Sequence, residues 1–109
     1  MNKIEFAQNN LLSNDKKNKI AYFFKSLSDE TRIAIIFSLK DNELTVTELK
    51  TVLNMTQSAV SHQLKTLRDA NIVTNRREGK EVYYKLSDQH IYTIFNQALD
   101  HVEEKLNEK

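Results

Sequence analysis

Four residues near the C-terminus have the side-chain types that hold a metal ion: Asp88, His90, His101 and Glu104. Two imidazoles and two carboxylates in a tetrahedron suit Zn(II), with Co(II) as a mimic. On one helix, eleven residues of separation bring His90 and His101 to within about 20° of each other around the axis. The same separation spans about 16 Å, too far for both to share one ion at about 2 Å per bond. One chain therefore cannot close the site, but two helices packed antiparallel can. Asp88 then pairs with Glu104 about a centre at residue 96, and His90 pairs with His101 about nearly the same centre. The predicted site takes Asp88 and His90 from one protomer, with the partner's His101 and the partner's Glu104 completing it. Symmetry gives two such sites per dimer. An apolar stripe of Ile91, Ile94, Phe95, Ala98, Val102 and Leu106 runs alongside. The same four residues also read as exposed histidines with helix-end carboxylates, Asp88 serving as a cap. Spacing alone does not separate the two readings.

A second constellation lies upstream, in Thr56-Gln57-Ser58-Ala59-Val60-Ser61-His62-Gln63-Leu64-Lys65. At helical spacing Gln57, Ser58, Ser61, His62 and Lys65 share the face opposite Val60, Leu64 and Leu67. Hydroxyls and amides at a helix N-terminus donate to phosphates and base edges, and such an N-terminus enters the major groove. Lys65 and Arg68 add charge for the DNA backbone, and Arg76, Arg77 and Lys80 follow on a predicted hairpin that reaches phosphates or the minor groove. Singly, each element also reads as an ordinary solvated surface; their order favours double-stranded DNA as partner. His62 has no companion at ligand spacing and is left out of the metal set.

These side chains need elements to hold them. The chain has 109 residues, one glycine and no proline, which predicts long helices with few sharp turns. A short helix or arm is expected over 1–14, and a winged-helix domain for DNA binding and dimerisation over 15–107. Within it, Ile20, Phe23, Phe24 and Leu27 predict the inner face of a helix over 15–27. Ser28 is the expected cap of the next helix, which runs over 29–39. Thr45-Val46-Thr47-Glu48 reads as a capping box opening a helix at 46–53. Thr56 caps a helix over 57–70. Ile72-Val73-Thr74 and Val82-Tyr83-Tyr84 are strand-like, and the one glycine, Gly79, falls at the hairpin tip between them. Ser87 or Asp88 caps a last helix to about 106. The fold class is mainly α with a small β-hairpin, a homodimeric winged helix–turn–helix.

Bulk properties narrow the function. Net charge is only +1, but Ser61 to Lys85 holds six bases against three acids, and Leu86 onward holds five acids against two lysines. One face is thus suited to a polyanion. Cysteine is absent, which excludes disulfides and thiolate metal sites. No stretch approaches a membrane span and the N-terminus lacks a signal-peptide core, so a cytoplasmic location is expected. No Gly-rich phosphate loop or cysteine nucleophile is present, and an enzyme is not expected.

Over roughly 15–104 the chain resembles the ArsR/SmtB family of metal-responsive repressors. The resemblance rests on Leu27-Ser28-Asp29-Glu30-Thr31-Arg32, Ser58-Ala59-Val60-Ser61-His62-Gln63-Leu64, the Arg77-Glu78-Gly79-Lys80 wing, and Asp88-x-His90 with His101-x-x-Glu104. The last pattern is similar to the zinc site of the family's C-terminal-helix sensors. Where relatives carry two cysteines, this chain has Glu43-Leu44-Thr45-Val46-Thr47, which disfavours soft-metal sensing there. The resemblance implies a metal-free dimer that binds its operator, represses a metal-efflux or sequestration gene, and is released by zinc. It further implies that His101 donates its second ring N–H to a carbonyl near Asn71. Two other readings stand beside this one: a repressor of the same fold answering a non-zinc signal, and a dimerisation module with no DNA role.

Overall fold

The computed structural model describes residues 2–107. Six helices and three short strands follow one another: α1 Lys3–Asn9, α2 Asn14–Leu27, α3 Glu30–Ser38, β1 Leu44–Thr45, α4 Val46–Leu53, α5 Gln57–Asp69, β2 Val73–Glu78, β3 Glu81–Leu86 and α6 Gln89–Asn107. This is a mainly helical winged helix–turn–helix. The sheet order is β1-β3-β2, all antiparallel, so the expected hairpin carries an additional short strand pairing Leu44 with Tyr84 and Thr45 with Tyr83. Two residues are too short to show a periodicity, and the strand was therefore invisible in the sequence.

Each helix start has a side-chain acceptor for its free backbone N–H groups. Ser13 accepts from Lys16 N at the start of α2, and Thr56 from Ala59 N at the start of α5. Thr45 and Glu48 form the full capping box of α4, as the sequence predicted. The cap of α3 differs from expectation: Asp29, not Ser28, has the extended backbone and accepts from Arg32 N at 3.1 Å. A carboxylate at that end also complements the helix dipole.

Three tight turns that glycine commonly serves are made here by Asp41, Asn54 and Asn71, all with positive φ. Asn and Asp tolerate that region because their short polar side chains bond locally. Asn54 ends α4 and Asn71 follows α5, so each helix of the helix–turn–helix is stopped by a left-handed residue. Ile72 N closes back onto Leu67 O at 2.9 Å, which fixes how the chain leaves α5.

The core is one cluster: Leu27, Ile35, Ile36, Leu39, Leu49, Val60, Leu64, Leu67, Ile72, Val73 and Ile91. The predicted stripe of α2 is only half used. Leu27 is buried and Phe23 packs on the cluster, while Ile20 and Phe24 lie exposed. Similarly α6 buries Ile91 and packs Phe95, but leaves Ile94, Leu99, Val102 and Leu106 open. α1 buries nothing. Among the described residues no helix is long and apolar enough to cross a membrane.

Candidate DNA-binding surface and metal-ligand pair

α5 turns its fully buried stripe of Val60, Leu64 and Leu67 inward, and this presents Gln57, Ser58, Ser61, His62, Lys65 and Arg68 to solvent. The six α5 residues named from the sequence therefore share an exposed surface. The wing stands next to it. A groove of about 240 Å³ is lined by Val46, Thr47, Gln57, Lys80, Glu81 and Val82, so the wing tip and the first residue of α5 border the same space. Gly79, with φ +63°, makes the tip turn, and no atom lies close to where a side chain would project. There the left-handed backbone, not crowding, is what favours glycine.

Alternation along the strands sorts the wing's bases. Arg77 pairs with Val82 and Arg76 with Tyr83, so the two arginines face opposite sides of the sheet. Arg77 shares the side of Val82, towards the groove. Arg76 does not. Its guanidinium donates from Nε and Nη2 to both oxygens of Glu43, at 3.0 and 3.2 Å, and from Nη1 to Glu78 at 2.6 Å. It also lies 4.6 Å from the centre of the Tyr83 ring. The hydrogen bond to Arg76 holds the Glu43 carboxyl below its ordinary pKa, and those to Glu43 and Glu78 hold Arg76 above its own. Arg76 is thus a clamp between the wing and the residue preceding β1, and its charge is spent internally. The sequence grouped it with Arg77 and Lys80 because all three are basic; the strand period separates them.

The four candidate metal ligands lie on or beside α6. Asp88 precedes the helix, and its Oδ1 accepts from His90 N at 2.8 Å and lies 3.2 Å from His90 Nδ1. The His90 side chain is 89% exposed and that of Asp88 52%. This pair is brought together. His101 and Glu104 lie in the exposed second half of the helix, about 16 Å and about 21 Å along the axis from His90. Among the described residues no three His, Asp or Glu side chains converge within one chain. The donor chemistry fits a borderline ion such as Zn(II), and the pair leaves coordination positions open.

A model described as bacterial regulatory protein, arsR family, matches residues 29–75. A transcriptional repressor SmtB homolog of Synechocystis is 35% identical over 104 residues, spanning 95% of this chain and 79% of that protein. The chain belongs to the ArsR family. A cadmium resistance transcriptional regulatory protein CadC homolog of Staphylococcus aureus is 36% identical over 86 residues, 78% of this chain and 71% of that protein. The solution structure of a homodimeric winged helix–turn–helix DNA-binding domain from Mycobacterium bovis, a possible ArsR-family regulator, superimposes with a TM-score of 0.81. It is 25% identical, and the match covers 90% of this chain and 94% of that one.

Members of this family regulate transcription through DNA, and the chain is not an enzyme. The family match runs from the α3 cap into β2, so it contains the helix–turn–helix but not α6. In this ArsR-family chain the first of the two threonines in segment 43–47 serves the fold, while Thr47 is exposed. Thr45 is buried, and its hydroxyl accepts from Glu48 N at 3.1 Å as the α4 cap.

Other contacts had no signal in the sequence. Ser87 Oγ donates to the Asn71 carbonyl at 2.7 Å, and Ser87 N donates to Ile72 O at 2.9 Å. The Asn71 carbonyl, in the region where His101 was expected to donate, therefore already has one donor, from the residue beside Asp88. Arg32 and Glu43 hold long-range polar ties, and neither stands in a pattern that spacing arguments detect.

Proposed function

We propose that the protein is a metal-responsive repressor that binds operator DNA as a cytoplasmic homodimer and is released by Zn(II). The observation that carries this reading is the exposed Asp88–His90 pair, half of a four-ligand set beside an uncovered apolar stripe. Val102 and Leu106 are 54% and 58% exposed, unusual for one face of a single helix unless a second copy covers it. The site then comprises Asp88 and His90 with the partner's His101 and the partner's Glu104, twice per dimer. Bound there, Zn(II) supplies a cross-link between ligand pairs from different protomers. The segment preceding α2 acts as an arm outside the DNA-binding and dimerisation domain, consistent with α1 burying nothing of its own chain.

Gln57, Ser58, Ser61 and His62 read base edges, while Lys65, Arg68, Arg77 and Lys80 neutralise phosphates. Arg76 is not in this set. Release requires that metal favour the dimer arrangement that docks poorly on DNA, and DNA must weaken metal binding by the same factor. A hundredfold release corresponds to a coupling free energy of about 2.7 kcal/mol. The regulated gene is one for metal efflux or sequestration, in keeping with a relative named for cadmium resistance.

The test is fluorescence anisotropy of the metal-free protein on its own promoter duplex, titrated with Zn(II), Co(II), Ni(II) and Cd(II). Zinc should release the DNA and chelator should restore binding. Tight binding unaffected by any of the four ions would refute metal sensing and leave a repressor that answers another signal.

A further inference from the structure

We infer that Arg32 is a positioning residue for DNA reading, setting the rotation of α5 through the side chain of Gln63. The inference rests on α5 being the DNA-reading helix. Apolar packing holds α5 by Val60, Leu64 and Leu67, but burial is non-directional and leaves small rotations and slides of a helix cheap. A directional contact removes that freedom. Arg32 Nε donates to Gln63 Oε1 at 2.8 Å, across 31 residues of sequence. Among the described side-chain hydrogen bonds, this one alone ties α5 to another helix.

The other end of the guanidinium is equally specific. Arg32 Nη1 donates to the carbonyl of Ser26 at 3.1 Å, in the last turn of α2. Carbonyls of a last turn lack partners inside their helix, and a cation there complements the dipole. The backbone of Arg32 is itself fixed, because its N–H donates to the Asp29 cap of α3. One half-buried planar side chain thus references three helices to each other. Gln63 lies beside His62 and between Ser61 and Lys65 in sequence, so its anchoring decides where those exposed groups point.

Lysine does not replace this function. A single ammonium reaches the Ser26 carbonyl or the Gln63 amide, but lacks the rigid fork that spans both. Arg32 also forms no ion pair among the described residues, so its charge is not explained by a carboxylate partner.

The test measures DNA affinity of Arg32→Met, Arg32→Lys, Gln63→Met and the Arg32→Met/Gln63→Met pair. The probe is a short duplex enriched by the wild-type protein from a random pool, with a scrambled duplex of equal composition as reference. Each single variant should lose about tenfold on the enriched duplex and little on the scrambled one. The double variant should be no worse than either single, because both remove one contact. The salt dependence should keep its wild-type slope, since a lost phosphate contact would lower it by about 0.9. Additive losses, equal losses on both duplexes, a reduced slope, or full activity of Arg32→Lys would each overturn the inference. Gln63→Met decides the matter if the Arg32 variants do not fold. A Ser61→Ala control separates the two levels. If it loses binding while Gln63→Met does not, positioning is wrong and α5 remains the reader. If neither loses binding, the reading of α5 fails, and the inference with it.

Discussion

The proposed shared metal site can be tested by complementation between two damaged protomers. One variant carries Asp88→Ala with His90→Ala; the other carries His101→Ala with Glu104→Ala. Each homodimer retains only two-ligand half-sites. Neither homodimer holds a second ligand pair that could complete a half-site. In a mixed dimer, one seam position lacks all four ligands and the other keeps all four. Random reassortment makes about half the dimers mixed, so the mixture should hold about a quarter of the wild-type metal. Mixed dimers purified through two different tags should hold about half. The assay is titration with Co(II), whose tetrahedral d–d absorption reports ligand geometry, followed by displacement with Zn(II). A mixture that binds no more metal than the separate homodimers would refute the shared site, since ligands acting within one chain cannot complement.

The wing's charges should separate in salt-dependence measurements. Arg77→Gln and Lys80→Gln should each lower the slope of log affinity against log salt by about 0.9, whereas Arg76→Gln should leave it nearly unchanged. The Arg76–Glu43 clamp should depend on pH. Because Glu43 is held below its ordinary pKa, its contribution is complete above that ordinary value and disappears as pH falls through the lowered one. Amide protection factors in β2 and β3, which correct for the intrinsic slowing of exchange in acid, should fall over that range in the wild type, and should already be low at neutral pH in Glu43→Gln. In the core, Leu64→Ala should cost about 2–5 kcal/mol in urea unfolding, because Leu64 has no exposed surface. Replacing Val102 with Glu should drive the protein towards monomer in sedimentation with little loss of helix signal, because Val102 is 54% exposed and lies outside the core cluster.

The parts of the fold that were legible in the sequence repeat over many residues. The α5 stripe, the Thr45–Glu48 box and the glycine turn each follow from local periods or local caps, and they appear where expected. The α3 cap moved by one residue because Ser28 and Asp29 are both good caps, and only the path of the chain chooses between them. β1 was missed because two residues carry no pattern and gain their strand character from β3. The exposed half of α2 was read as buried because a stripe states which residues share a face, not whether this chain supplies its partner. At the candidate site, residue types and spacing brought out the Asp88–His90 pair and the exposed polar side of α5. They could not show that Arg76 is spent on Glu43, nor that Ser87 occupies the Asn71 carbonyl. Those contacts join positions far apart in the chain through one or two hydrogen bonds, which leave no trace in composition or period.

The strict division of α5 has an evolutionary consequence. Its inward residues hold the fold, and its outward residues touch nothing in the core. Substitutions at Gln57, Ser58, Ser61 or His62 therefore meet little thermodynamic resistance, and under the proposed function the base preference of the helix can drift without touching the α6 ligand set. A lineage with this architecture can move an old regulator to a new promoter in a few steps. A selection for folded protein alone would not register the change.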